Sequence, residues 1–160
     1  MNLEEQIVKK LLEKGYTVTT AESCTGGLLA GRLLNVSGAS GVYNEGYITY
    51  SNEAKHRLLG VSNETLESYG AVSEQTAKEM AEGVAKAANS DVGLSTTGIA
   101  GPGGGTPEKP VGLIYVGCSI KGVTTVKKCQ FIGDRETNRN STVEEALKLL
   151  QKCLQKVEKH

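Results

Sequence analysis

Residues 19–27 read T-T-A-E-S-C-T-G-G, an acid, a serine, a cysteine and a threonine set between an alternating apolar run and a second apolar run. A strand that turns through small polar residues into a helix offers unpaired backbone N–H groups, and glycines let an anion approach them closely. Ser23 and Thr25 would add hydroxyls beside those amides, with Gly26 allowing the approach. Helix capping by the same serine, threonine and acid is the alternative, whether or not anything binds. A second stretch, S-T-T-G-I-A-G-P-G-G-G at 95–105, also leaves a strand, where α/β sheets bind their ligands. It carries Thr97, Gly98 and Gly101 toward the same edge, and it matches neither the G-x-x-x-x-G-K-[ST] nor the G-x-G-x-x-G pattern. Two such loops suit a small phosphorylated ligand; a flexible surface loop is the plain alternative.

A third cluster, S-G-V-Y-N-E-G-Y-I-T-Y-S-N-E-A-K at 40–55, puts Tyr50 at a strand end and Lys55 one turn into the next helix. Ser40 precedes that strand in a glycine-flanked turn that suits an exposed hydroxyl. A serine nucleophile needs a base, and the only internal histidine, His56, falls on a different helical face from Lys55. A lysine desolvated until neutral can serve, with a tyrosine relaying the proton. A surface lysine lying over Tyr50 is the bland reading. F-I-G-D-R-E-T-N-R at 131–139 adds Arg135 and Arg139, whose guanidinium groups suit phosphate or carboxylate; helix capping by Asp134 explains the stretch as cheaply.

Elements follow from periodicity and caps. Leu3, Ile7, Val8, Leu11 and Leu12 recur at helical spacing, and Gly15 supplies a stop. Strands are expected over 16–21, 42–50, 91–97, 111–120 and 123–131, the last two joined by Lys121-Gly122 as a hairpin. Helices are expected from Leu28 to Leu34, between Ser51 and Gly60, over 64–69, after Ser73, and from a start between Glu136 and Val143 through Val157. The pattern predicts one domain over residues 1–160, a three-layer α/β/α sandwich with a mixed, mostly parallel sheet.

Eighteen basic and eighteen acidic residues cancel, and seven aromatics without tryptophan make no stacking platform, so neither feature favours nucleic acid. Apolar runs fall far short of the roughly 20 residues of a membrane helix, and the N-terminus is unlike a signal peptide, which predicts a cytoplasmic protein without membrane contact. Cys24, Cys118, Cys129 and Cys153 are dispersed and the two histidines lie apart from them, so no zinc site is expected.

Together A-E-S-C-T-G-G (21–27), G-Y-I-T-Y-S-N-E-A-K (46–55), G-A-V-S-E (70–74), T-G-I-A-G-P-G-G-G (97–105), K-P-V-G (109–112) and G-D-R (133–135) resemble the CinA C-terminal domain family. The resemblance runs from about Val8 through Arg135 and implies a three-layer α/β/α domain with a mixed sheet. It implies a nicotinamide-nucleotide amidase that converts nicotinamide mononucleotide (NMN) and water to nicotinate mononucleotide and ammonia, in pyridine-nucleotide salvage. It further implies a metal-free Ser/Tyr/Lys set without cofactor, which falls here on Ser40, Tyr50 and Lys55, supported by Ser23, Thr97 and Arg135. Ser23 and Cys24 are the rival nucleophiles. E-T-N-R after the G-D-R motif departs from the family pattern and leaves Arg139 without an assigned role. The chain looks like the stand-alone form, without the N-terminal molybdopterin-binding-like domain, and a homodimer is expected by analogy. A nucleotide-holding module without turnover and a competence-linked interaction module are the alternative functions.

Overall fold

The computed structural model describes residues 1–158. In chain order the elements are α1 (Leu3–Lys14), β1 (Val18–Glu22), α2 (Leu28–Leu34), a 3₁₀ turn (Ala39–Gly41), β2 (Tyr47–Ile48), α3 (Asn52–Leu59), α4 (Asn63–Tyr69), α5 (Glu74–Ala87), β3 (Val92–Gly98), β4 (Leu113–Ile120), β5 (Val123–Gln130) and α6 (Arg135–Glu158). Local chemistry sets most boundaries. The Asn2 side chain accepts from the Glu5 amide at 2.9 Å to start α1, and Gly15 at φ 67° stops it. Ser51 caps α3 through the Ala54 amide at 3.0 Å, and Gly60 at φ 74° ends it. That phasing puts Lys55 and Leu59, four residues apart, on the one buried face of a short exposed helix.

The five strands form one sheet in the order β2-β1-β3-β4-β5. β1 runs parallel to both β2 and β3, whereas β3–β4 and β4–β5 are antiparallel and hold the longer ladders. The sheet is therefore mixed as expected but mostly antiparallel in its pairing, which corrects the mostly parallel expectation. The alternation of helices and strands ends at β3. From there the chain returns through the 99–112 loop without a crossover helix, and a return without a crossover must pair antiparallel.

One face of the sheet packs against α1, α2 and α6 around Ile7, Leu11, Leu33, Leu94, Val116, Leu147 and Leu150. The other carries a smaller cluster of Ala21, Leu59, Val61, Leu66, Met80 and Val84 under α3, α4 and α5. Each large buried side chain contributes roughly 1.5–3 kcal/mol, so both layers are firmly held. The expected strand over 42–50 is broken. Tyr43 makes a lone bridge to Val18, and only Tyr47–Ile48 pair as a strand. Gly46 lies beneath the Tyr43 ring, where even a Cβ would collide with the phenol oxygen. No helix among the described residues is long and apolar enough to cross a membrane.

Candidate functional site

The parallel strands β1, β2 and β3 all end at one edge of the sheet, and the chain leaving β1 there turns sharply through Ser23-Cys24-Thr25-Gly26-Gly27 into α2. Glu22, 1% exposed, decides what that turn can do. Its Oε1 accepts hydrogen bonds from the Thr25 hydroxyl and from the amides of Gly27 (3.1 Å) and Leu29 (2.9 Å), while Oε2 accepts from the Ala30 amide at 3.0 Å. The positive end of α2 is thus filled by the protein's own carboxylate. The amides of Gly27, Leu29 and Ala30 and the Thr25 hydroxyl, expected to meet a ligand anion, are taken up by Glu22, and the capping alternative is what the fold adopts. Thr25 is fully buried. With its proton committed to Glu22, it accepts from Thr96 Oγ1 at 2.8 Å, and Thr96 in turn receives the Ser23 amide. The Gly26 amide donates back to the Ser23 carbonyl, which closes the turn.

Held this way, Ser23 faces the α3 side of the sheet and meets Lys55. Lys55 Nζ donates to Ser23 Oγ at 3.1 Å and to the Tyr50 carbonyl at 3.1 Å. Lys55 is 1% exposed and has no carboxylate partner among the described residues. Burial lowers its pKa from 10.5 to about 8, partly opposed by the Cys24 sulfur. A uniformly charged surface lysine is thereby replaced by an amine of which about a tenth is neutral at pH 7. The Cys24 thiol is driven the other way, up to about 11 by burial, so it stays protonated and is a poor nucleophile.

Ser40 is elsewhere. It is exposed in the 3₁₀ turn, and the chain just after it joins the opposite end of β1, where the Val18 amide donates to the Val42 carbonyl at 2.8 Å. The five residue steps from Val18 to Ser23 separate the two serines' ends of the strand by roughly 16 Å. The structure therefore does not bring Ser40 to Lys55, as the expected catalytic set requires. Adjacency in sequence misled because the segment from 42 to 50 carries the chain from one end of the sheet to the other. A cavity of about 600 Å³ between α1 and the Asn35–Ser37 turn touches neither Ser23 nor Lys55.

The remaining expected residues divide between lining and scaffold. Tyr50 offers its backbone carbonyl to Lys55, while its largely exposed phenol accepts from Arg135 Nη2 at 3.4 Å. Arg135 Nη1 donates to the Gly101 carbonyl at 2.9 Å, which ties the glycine loop to the first turn of α6. Thr97 lies next to Ser23 on the adjoining strand, but its hydroxyl donates to the Ala71 carbonyl at 2.8 Å. Gly98 and Gly101 are packing requirements. A Cβ at either would come within 2.4 Å of Ile114 or Val111 respectively.

Sequence reasoning missed three supports. Asn138, fully buried, donates to the Ala100 carbonyl at 3.0 Å and brackets Gly133. Arg139 donates from Nε to the Cys24 carbonyl at 2.9 Å and from Nη2 to the Thr25 carbonyl at 3.1 Å, so the arginine without an assigned role clamps the serine turn. Thr96 completes the chain from Ser23 to Glu22. The available signal was the start of α6. Asp134 Oδ1 accepts the Thr137 amide at 2.8 Å, a helix cap that phases Arg135, Asn138 and Arg139 together toward the two loops. Of the chain's four arginines, Arg32 and Arg57 are paired with carboxylates, while Arg135 and Arg139, both at this site, have no carboxylate partner among the described residues. Two guanidinium groups without carboxylate partners among the described residues thus stand together in a chain of zero net charge. Among the described residues no group of three or more His, Cys, Asp or Glu side chains gathers as a metal-ligand set.

Known proteins resemble this chain along nearly its whole length. A CinA-like protein of Kosmotoga olearia is 57% identical over 153 residues, covering 96% of this chain and 37% of the relative. The chain thus spans little more than a third of the length of the curated relatives it matches. A solved structure of the competence/damage inducible protein CihA from Agrobacterium tumefaciens aligns with TM-score 0.89 at 40% identity over 97% of each chain. A CinA superfamily protein from Klebsiella pneumoniae gives 0.91 at 35% identity over 95% of each. The sequence profile of the CinA C-terminal domain matches residues 1–154, and the chain belongs to that family.

Proposed function

We propose that the chain is a nicotinamide-nucleotide amidase that hydrolyses NMN to nicotinate mononucleotide and ammonia, with Ser23 as the nucleophile. The observation that carries this reading is the 3.1 Å contact between Ser23 Oγ and the buried, carboxylate-free Lys55 amine. The neutral fraction of Lys55 accepts the Ser23 proton as Oγ attacks the carboxamide carbon. The amides of Cys24 and Thr25, which donate to no partner among the described residues, are the nearest candidates to receive the oxyanion, and one such donor is worth roughly 3 kcal/mol. Collapse of the tetrahedral adduct breaks the C–N bond. The proton on Lys55 passes to the departing nitrogen, which leaves as ammonia. Water then attacks the acyl-serine carbon and gives a proton to Lys55; the C–Oγ bond breaks, Ser23 Oγ takes that proton back from Lys55, and nicotinate mononucleotide is released.

Arg135, the unpaired Arg139 edge and the exposed tip of the glycine loop favour the nucleotide phosphate. The phosphate is assigned to that side because Glu22 already occupies the start of α2. The test is ammonia release from NMN by the purified protein with chelator present. Turnover supports the reading, whereas NMN binding without ammonia would make the chain a nucleotide-holding module.

A further inference from the structure

Among the described residues one buried side-chain polar atom has no hydrogen-bond partner: Thr49 Oγ1, on a residue with no exposed surface. Every other hydroxyl around it is committed. Ser23 meets Lys55, Thr25 meets Glu22, Thr96 meets Thr25, and Thr97 meets the Ala71 carbonyl. An unmade bond at a buried hydroxyl is a standing penalty that folds rarely keep without a use for it.

Its position follows from the sheet. The Thr49 amide donates to the Glu22 carbonyl at 2.8 Å, so Thr49 continues the parallel ladder beside Ser23. Two residues earlier, the paired Ala21 and Tyr47 both pack into the cluster under α3 and α5. Strand alternation then puts Ser23 and Thr49 on that same face, beneath the Lys55 side chain. Ser23 is flanked by a committed hydroxyl on the β3 side and an uncommitted one on the β2 side.

We propose that Thr49 is a substrate-binding residue whose hydroxyl holds the carboxamide attacked by Ser23. This rests on the amidase reading. With the carboxamide oxygen directed at the Cys24–Thr25 turn, its nitrogen falls on the opposite flank, where Thr49 Oγ1 accepts one N–H and keeps the leaving nitrogen within reach of Lys55.

The test uses a Ser23→Ala background, so that binding is read without turnover. Thr49→Val, which keeps shape and removes the hydroxyl, should weaken NMN binding about fivefold to tenfold. It should change binding of ribose 5-phosphate, which lacks the carboxamide, by less than twofold. The melting temperature should hold or rise, since the orphaned group is gone, and Thr49→Ser should bind NMN nearly normally. Unchanged NMN affinity, an equal loss for both ligands, or equal damage in Thr49→Ser overturns the inference and leaves the amidase reading intact. If the Ser23→Ala protein binds no NMN at all, the reading itself fails and the inference falls with it.

Discussion

The turn after β1 and the loop after β3 leave neighbouring parallel strands at one edge of the sheet, both rich in small residues, yet they are built for opposite purposes. The first is fastened on every side. Glu22 holds the amides of Gly27, Leu29 and Ala30, Arg139 holds the carbonyls of Cys24 and Thr25, and the Ser23 amide donates to Thr96. The second is fastened at its foot, through Arg135 and Asn138 to Gly101 and Ala100, and at its far end, where Lys109 Nζ donates to the Tyr69 carbonyl, while residues 102–108 between them stand exposed. Glycine serves different ends in the two. In the turn it permits left-handed backbone, with Gly27 at φ 104°, whereas at Gly98 it permits a neighbouring strand to close in. Under the proposed amidase reading, the fixed turn holds the nucleophile and the open loop meets the ligand phosphate.

This contrast can be broken by substitution. The largest expected effect is at the fixed turn itself. Ser23→Ala should lower ammonia release from NMN by about 10³-fold or more, while Ser40→Ala, at the far end of the sheet, should stay within about twofold. Lys55→Met should lose about 10³-fold as well, yet gain stability. The folded pKa of about 8 lies below the unfolded 10.5, so the unfolded state binds more protons between those values and stability rises with pH across that window. Below about pH 8 the burden of the buried ammonium is complete, on the order of 3 kcal/mol. Denaturant midpoints at pH 7 should therefore increase in Lys55→Met, and the pH dependence between 8 and 10.5 should flatten. In the wild type, turnover should climb as pH rises through about 8.

Glu22→Gln comes next, because it replaces a carboxylate that accepts three amides and a hydroxyl with a group that must turn a donor toward one of them. Urea denaturation should show a loss of about 2–4 kcal/mol, with kcat falling in step as the serine turn loosens. The smallest effect belongs to the open loop. Nothing lies within 4 Å of a Cβ at Gly103, so Gly103→Ala should keep stability within about 0.5 kcal/mol and act, if at all, on KM for NMN. A Gly103→Ala protein as damaged as Glu22→Gln would erase the distinction between the two loops.

What the sequence disclosed follows the same division between local and distant. The α3 helix was readable end to end because Ser51 and Gly60 act on their immediate neighbours. The β4–β5 hairpin was equally readable from Lys121-Gly122, both at positive φ. Nothing local announces that Glu22 bends forward to amides five to eight residues on, or that Arg139 reaches back to Cys24. The expected grouping of Ser40 with Lys55 came apart for this reason. Ser40 and Lys55 share a short segment, but the chain between them crosses the sheet, whereas Ser23, far earlier in sequence, lies across one strand pair from Thr49 and under Lys55. The sheet's direction misled similarly. The early helix–strand alternation reads as parallel, and only the three-dimensional path of the glycine loop turns β4 back.

The most direct test of the account is to quench the protein during NMN turnover and locate the acyl group by mass after tryptic cleavage, which separates residues 15–32, carrying Ser23, from residues 33–55, carrying Ser40. The account predicts the acyl-nucleotide mass on the 15–32 fragment, absent in Ser23→Ala. The same mass on 33–55, or steady ammonia release from the Ser23→Ala protein, would contradict it.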